Sequence, residues 1–386
     1  MTENPKLHIP QPTARPGETP DFSYIELSEA GAVERPPEDA AVADIEYLAN
    51  GMVRVLDESH EAVGPWAPEL DADVLLKALE TMVLSRAYDD RMLRVQRQGK
   101  ISFYMQALGE EAVSVGQGLA FEDGDMMFPA YRNQGLYIMR GTGLVEMMCQ
   151  CLSNSRDMCK GRQMPIFYQN SKNNVFSISG NLATQYPQAV GWAMGAAIKG
   201  EDHIAASWIG DGSTAEADFH HALTFAAVYN APVVLNVTNN QWAISTFQGF
   251  AGGERRSFAS RGPGYGIPGI RVDGNDLLAC YAVTRWAANR ARNGGGPTLI
   301  ELVTYRGGAH STSDDPTRYR PKDEWKDFPL GDPVERLRKH LEGLGHWSEA
   351  QHESLEVKMA EKVNNAWKEA CSHGTMTEPP FLDVKL

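Results

Sequence analysis

The stretch that decides the fold is Gly210–Asn240, GDGSTAEADFHHALTFAAVYNAPVVLNVTNN. An acidic Gly-Asp-Gly turn opens it and an Asn-Asn pair closes it. The apolar run Ile204–Ile209 precedes the turn, and a second, Val233–Val237, precedes the Asn pair. Between them lies a helix-length segment. The pattern predicts a right-handed crossover joining two parallel strands that lie side by side or one apart. Ligands of such a sheet gather at the carboxyl ends of its strands. Asp211 follows the first strand and Asn240 the second. A carboxylate, an amide oxygen and a nearby backbone carbonyl are hard ligands. They suit Mg2+ with positions left open for phosphate oxygens. The turn Gly210–Ser213 is also expected to open the helix, with its first N–H groups facing a phosphate. Gly-Asp-Gly alone reads as a tight turn and helix cap, which Asp, Ser and Asn also favour. The Asn pair at crossover spacing turns the reading to a metal–phosphate site.

Outward from this unit, further strands alternate with helices. Met127–Pro129 is followed by Ala130-Tyr131-Arg132, and Val175–Ser179 by the turn Gly180–Gln185. Ile270–Val272 leads into Asp273-Gly274-Asn275-Asp276, which caps a helix to about Arg292. Thr298–Thr304 runs into Tyr305–Pro316, so Arg306 and His310 also follow a strand end. Helices are expected from Asp71 or Asp73 to Gln98, over Gly109–Phe121, 135–152 and Pro187–Lys199. Gly99 stops the first of them. The alternation predicts an α/β fold, a mainly parallel sheet with helices on both faces. The small residues of 187–199 allow close approach at packing or at a subunit interface and do not follow a dinucleotide fingerprint. Phe247–Pro268 is a long loop of the kind that is functional or mobile. From Asp332 on the chain is helical, with Leu355, Met359, Val363 and Trp367 at core spacing. Ser348–Gln351 forms a capping box.

Two acidic residues, Glu110 and Glu111, fall in a helix's first turn. There they complement the helix dipole, and we read them that way rather than as catalytic acids. Lys160–Pro165 is a basic loop for an anion or a partner. Residues 1–45 are proline-rich and poor in large apolar side chains, an extended or disordered arm. Phe22, Tyr24 and Ile25 are its anchors if it lies across the body. The chain divides into this arm, a mainly helical lead-in at 46–125, an α/β core at 126–325 and a helical segment at 326–386.

Bulk properties narrow the class. Lys and Arg number 36 against 50 Asp and Glu, a net charge of 36 − 50 = −14. Such a chain is a poor partner for nucleic acid or acidic membranes. Hydrophobic residues make up 42%, enough for a sizeable core. The five cysteines are too scattered for a disulfide framework, and Cys149 and Cys151 lack metal-type spacing. The N-terminus lacks the apolar core of a signal peptide. No run approaches the roughly 18 apolar residues of a spanning helix. A cytoplasmic protein is expected.

The Gly-Asp-Gly…Asn-Asn stretch resembles the thiamine diphosphate-binding signature. Around it, FYMQALGEEA, YRNQG, KGRQMP, ISGNLATQ, NNQWAIST, RGPGYGI, RVDGND and AHSTSDDPTRYR resemble the alpha subunits of 2-oxoacid dehydrogenases. The resemblance is strongest to the bacterial branched-chain (2-oxoisovalerate) type. It runs from about Ser102 to the C-terminal helices, with little in the first 45 residues. It implies Mg2+ ligands at Asp211, the Asn240 side chain and the Trp242 carbonyl. It implies diphosphate contacts from Tyr131, Arg132, Gly212, Ser213 and His310, backbone contacts from Gly180 and Leu182, and a basic neighbour in Arg306. Ser179, Asn181, Thr184 and Gln185 match a monovalent-cation (K+) site of some relatives. His310 is the implied catalytic residue, orienting the cofactor and aiding acyl transfer to a lipoyl thiol. Ala130 and Thr238 depart from relatives that carry Gln and Arg there. Ser311 follows the motif histidine and is phosphorylated in some relatives; we read it as a loop residue.

The resemblance also implies a split site. The glutamate that activates the pyrimidine ring comes from a partner beta subunit, in an α2β2 heterotetramer that serves a lipoyl-bearing acyltransferase core. The expected reaction is oxidative decarboxylation of branched-chain 2-oxoacids such as 3-methyl-2-oxobutanoate, with Phe103, Tyr104 and Leu182 as apolar lining. Methylene discrimination is worth only about 1–3 kcal/mol, so a pyruvate or acetoin dehydrogenase alpha subunit is the alternative. A non-catalytic Mg2+–nucleotide-binding or scaffold protein is the alternative of another class.

Overall fold

A computed structural model describes residues 7–377. Its centre is a six-stranded sheet in the order β1-β7-β8-β4-β3-β2, parallel throughout. The strands are β1 Met52–Val53, β2 Met126–Phe128, β3 Ala205–Gly210, β4 Val233–Asn239, β7 Gly269–Asp273 and β8 Thr298–Val303. A small antiparallel hairpin, β5 Trp242–Ala243 with β6 Thr246–Phe247, stands beside the sheet. β3 and β4 are direct neighbours, with Gly210 in register with Thr238. That register puts Asp211 and Asn240 at the ends of adjacent strands.

The period-two alternation sends side chains to opposite faces. Ala206 and Trp208 of β3, Val234 of β4, and Ile300 and Leu302 of β8 enter the larger core. Ala205 and Ile209, Val233, Leu235 and Val237, and Leu299 enter the second core. Against the first face pack α2 Glu111–Ala120 and α8 Leu277–Arg292, with α1 Ala72–Arg97, α9 Pro333–Gly343 and α10 Glu349–Ser372 behind them. Against the second pack α5 Gln185–Lys199 and α6 Ala217–Val228. Each fully buried large side chain removed from water is worth ~1.5–3 kcal/mol. The β strands are accordingly buried almost along their whole length.

The helix boundaries follow local chemistry. Asp71 precedes α1, and Gly99 ends it at φ 71°. Asp276 accepts from Ala279 N at the start of α8, Asp332 accepts from Val334 N and Glu335 N at α9, and Ser348 accepts from Gln351 N at α10. Leu355, Met359, Val363 and Trp367 are buried.

Several local expectations are corrected. The helix expected over 135–152 is two, α3 Gln134–Met139 and α4 Leu144–Leu152, because Gly141 adopts φ 84° between them. Val175–Ser179 is not a strand. Val175 makes only single bridges, to Met127 of β2 and to Asn170. The Gly-Asp-Gly turn does not open α6 directly: Asp211–Ala215 is a 3-10 turn, and Glu216 is extended before α6 begins. The long 247–268 loop carries a 3-10 turn at Gln248–Ala251 and the short α7 Arg261–Gly264.

The N-terminal arm lies across the body, anchored where expected. Ile25 is buried, and Phe22 and Tyr24 pack beside it. Phe22 meets Tyr305 and Phe328 edge-on at 5.5 and 5.4 Å, and Tyr24 meets Phe247 of the hairpin at 5.4 Å. A 3-10 segment, Val42–Ala49, leads into β1. Among the described residues no helix is long and apolar enough to cross a membrane, and all five cysteines are free.

Candidate active site

The neighbouring ends of β4, β3 and β2 deliver their following residues to one cleft, and the segment after β8 is bonded to it through Arg132. From β2 come Ala130, Tyr131 and Arg132; from β3, Gly210 and Ser213; from β4, Thr238 and Asn240. The turn Ser179–Gln185 closes the opposite wall, and Leu182 there is 51% exposed at the mouth. Arg306 and His310 come from the segment after β8.

Asp211 is 1% exposed, and its Oδ2 has no hydrogen-bond partner. Burial pushes its carboxyl up to about 7, against the pull of the N–H groups of its own turn and of Arg306. An orphaned buried carboxylate oxygen costs free energy unless something charged meets it. Asn240 lies one strand over. Its Nδ2 donates to Glu110 Oε1 at 2.7 Å, and its Oδ1 accepts from Trp242 N at 3.3 Å. The Trp242 carbonyl accepts from Arg306 Nη1 at 2.8 Å and retains its second lone pair. This donor set, one carboxylate and two neutral oxygens, fits a hard divalent cation. Among the described residues no group of three or more His, Cys, Asp or Glu is placed to hold a metal, so any ion here relies on the amide and carbonyl oxygens. Gly212 is required by packing, since a Cβ there would run into Ala243 of β5.

Two guanidinium groups flank this set, both held mainly by carbonyls. Arg132 donates to Gln106 O at 2.7 Å and His310 O at 2.6 Å, and its Nε lies 3.8 Å from Glu110. Arg306, 1% exposed, donates to the Trp242 and Ile244 carbonyls and to the Tyr319 hydroxyl. Burial first, then the nearby Arg132, lowers it to about 10. Carbonyl partners leave the positive charge largely uncompensated, which suits a polyanion.

His310 is half-buried. Arg132 Nη2 sits 3.2 Å from its Nδ1, so Nδ1 is the acceptor and the neutral ring carries its proton on Nε2. Burial, then the charges of Arg132 and Arg306, lowers it to about 3. The Tyr131 ring meets it edge-on at 5.9 Å. Its backbone N donates to Asp314 at 2.7 Å, and the segment is tied down by Thr312 N donating to Tyr104 O at 3.0 Å.

The expected monovalent-cation group is only partly drawn together. Ser179 Oγ accepts from Asn181 N at 3.2 Å, while Thr184 Oγ1 donates to Asp218. Gln185 donates to Trp208 O, and its buried Oε1 has no partner.

Sequence reasoning misplaced two residues, Tyr104 and Glu110, and gave Glu111 only part of its role. Tyr104 does not line the cleft: it is fully buried, and its hydroxyl donates to Asp89 at 2.6 Å. Glu110 and Glu111 are more than dipole partners, being 4% and 2% exposed. Glu111 pairs with Arg86 and accepts from Gly109 N, whereas Glu110 lines the cleft. The sequence signal for Glu110 was present in the paired acids, but a helix start explains such a pair without burial. Tyr319, which bonds both Arg306 and Asp314, carried no signal at all.

A parallel α/β sheet whose carboxyl edge gathers an unpaired carboxylate oxygen, neutral oxygens and two arginines defines the general class. Comparison with known proteins narrows it. The dehydrogenase E1 component family profile matches residues 79–378, and the profile of the 2-oxoisovalerate dehydrogenase E1 alpha subunit N terminal matches residues 3–43. The chain is 58% identical over 373 residues to the 2-oxoisovalerate dehydrogenase subunit alpha of Pseudomonas aeruginosa, spanning 97% of this chain and 91% of that one. It is 40% identical over 321 residues to the mitochondrial 2-oxoisovalerate dehydrogenase subunit alpha of Bos taurus, 82% of this chain and 70% of that one. The corresponding Dictyostelium discoideum protein is 42% identical over 290 residues, 74% and 65% respectively. The chain belongs to the dehydrogenase E1 component family. The resemblance read from the motifs is borne out, and it reaches further than expected, because the arm at 3–43 carries it too.

Proposed function

We propose that the chain is the alpha subunit of a thiamine diphosphate-dependent dehydrogenase of branched-chain 2-oxoacids, with 3-methyl-2-oxobutanoate as a representative substrate. The observation that carries the site is the unpaired, buried Asp211 oxygen beside Asn240 and the Trp242 carbonyl at adjacent strand ends. The family implies thiamine diphosphate as cofactor; Mg2+ held by Asp211, Asn240 Oδ1 and the Trp242 carbonyl is our assignment, as is K+ near Gln185.

Bound there, thiamine diphosphate supplies the electron sink for decarboxylation. The chain's own residues supply position and field. Arg132 and Arg306 set positive potential against the diphosphate, with Tyr131, Gly212 and Ser213 beside it and Gly180 and Leu182 on the facing wall. Neutral His310, with Nδ1 taken by Arg132, offers Nε2–H as a hydrogen-bond donor for orienting the cofactor and the acyl acceptor. Ala130 and Thr238 add no charged donor, so the anion rests on the arginines and the turn.

The pyrimidine-activating glutamate belongs, in this reading, to a partner beta subunit that closes the cleft from the side where Leu182 is exposed. Gly191 and Gly195 of α5 have open space where a Cβ would stand, so packing within the chain does not demand their small size. Ile198 on α5 and Phe225, Val228 and Tyr229 around the end of the neighbouring α6 are also exposed, apolar side chains suited to a partner. We place the assembly, an α2β2 heterotetramer acting on an acyltransferase core, in the cytoplasm.

Co-expression with a beta subunit and assay on 3-methyl-2-oxobutanoate and pyruvate tests the substrate. Strong preference for pyruvate would replace the branched-chain assignment with a pyruvate dehydrogenase. Calorimetry with thiamine diphosphate and ADP tests the site: equal affinities would point to a nucleotide-binding module instead.

A further inference from the structure

We infer that Glu110 is a positioning residue for Asn240, fixing which end of that amide faces the metal. The inference rests on the metal assignment proposed above and deepens it. An Asn side chain is a metal ligand only through Oδ1, yet the amide can occupy a buried site either way round. Here Glu110 decides. Its Oε1 accepts from Asn240 Nδ2 at 2.7 Å, an interaction only the NH2 end can make with a carboxylate, and Trp242 N donates to Oδ1 from the other side at 3.3 Å. The amide is held at both ends with its oxygen turned toward the β4–β5 bend.

Glu110 is not accounted for by its helix. It precedes α2 but makes no side-chain capping bond. The job of meeting the local N–H falls to Glu111, which accepts from Gly109 N. Glu110 is 4% exposed and faces the cleft, where its second neighbour is Arg132 at 3.8 Å. It therefore links a metal ligand after β4, 130 residues away in sequence, to a diphosphate-facing cation after β2. A carboxylate behind an amide NH2 also polarises it and makes Oδ1 a better donor to a cation. Partners of this kind behind a ligand typically change metal affinity by about 10- to 100-fold when removed.

The test uses Mn2+ as the probe, with the full chain in complex with its beta subunit. Free Mn2+ is followed by electron paramagnetic resonance in the presence of thiamine diphosphate, for wild type, Glu110→Gln and Glu110→Leu. Glutamine keeps an oxygen for Asn240 Nδ2 but loses the charge, and leucine loses both. The expected order of Mn2+ affinity is wild type, Gln, Leu, with Leu weaker by about 10- to 100-fold. Thiamine diphosphate affinity at saturating Mn2+ should change far less, and the bound-Mn2+ spectrum should be altered in Leu. Circular dichroism and thermal melting establish that the variants are folded. Equal Mn2+ affinities in folded variants overturn the inference, and so does a loss of thiamine diphosphate affinity as large as the loss of metal affinity. A wild-type complex that takes up no Mn2+ overturns the metal assignment itself, and this inference with it.

Discussion

Arg132 grips His310 at two points: one guanidinium nitrogen, Nη2, donates to the His310 carbonyl at 2.6 Å and lies 3.2 Å from Nδ1 of its ring. The pair joins a residue after β2 to one after β8, with β3, β4, β7 and β8 between them in sequence. It fixes both the place of the imidazole and its tautomer, and it adds to burial in keeping the ring neutral.

That charge state is testable. His310 is lowered to about 3 by burial, Arg132 and Arg306. Its folded value lies below the unfolded one near 6.5, so its contribution to stability is present above ~6.5 and is lost as pH falls toward 3. Nitrogen-15 spectra of the imidazole should show a neutral ring at pH 5.5. In Arg132→Gln the ring should titrate at a distinctly higher pH, because one of the two cations is gone.

Asp211 is costly to hold ionised in its buried place. Its carboxyl is raised to about 7 by burial. A raised carboxylate contributes fully below its unfolded value near 4 and loses that contribution as pH rises through 7. Asp211→Asn should therefore raise the melting temperature of the unliganded chain, more at pH 8 than at pH 5. Asp211→Ala should abolish Mg2+-dependent thiamine diphosphate binding in calorimetry.

Tyr104 supports the His310 segment from behind. Its hydroxyl donates to Asp89, itself raised to about 7 by burial, and its backbone bonds Thr312 in both directions. Tyr104→Phe leaves Asp89 one donor short, a cost of about 1–3 kcal/mol in urea unfolding. Faster amide exchange at Thr312 would be the local signature.

Gly109 cannot be replaced cheaply. It has φ 94°, and a Cβ there would run into the Tyr305 carbonyl oxygen. Gly109→Ala should destabilise by roughly 3 kcal/mol or more, as a positive φ and a backbone clash combine. Chemical denaturation measures it directly, and metal affinity should fall too, since Glu110 is the next residue.

The arm braces the β5–β6 hairpin through Tyr24 on Phe247 and the segment after β8 through Phe22 on Tyr305. Phe22→Ala should cost about 2 kcal/mol, below the value for a fully buried Phe because the ring is only half-buried. Limited proteolysis should then cut within the arm at temperatures where wild type resists.

The sequence by itself determined the crossover unit, most of the parallel strands, the helix caps and the residues that follow each strand end. These are local matters: short apolar runs of strand length, Gly and Asp at fixed offsets, and a backbone that must turn where they occur. It also carried enough spaced motifs to indicate the family. The tertiary structure decided which of those residues meet. Val175 failed to extend as a strand and makes only single bridges, to Met127 of β2 and to Asn170. Glu110 and Tyr104 exchanged their expected places, one into the cleft and one into the core, because burial is set by what packs over a residue and not by its neighbours in sequence. The bond between Asn240 and Glu110, and the grip of Arg132 on His310, are non-local for the same reason. Arg132 and His310 follow strands that the order β8-β4-β3-β2 brings near one another, and Glu110 reaches Asn240 because the start of α2 is bonded to the segment after β8.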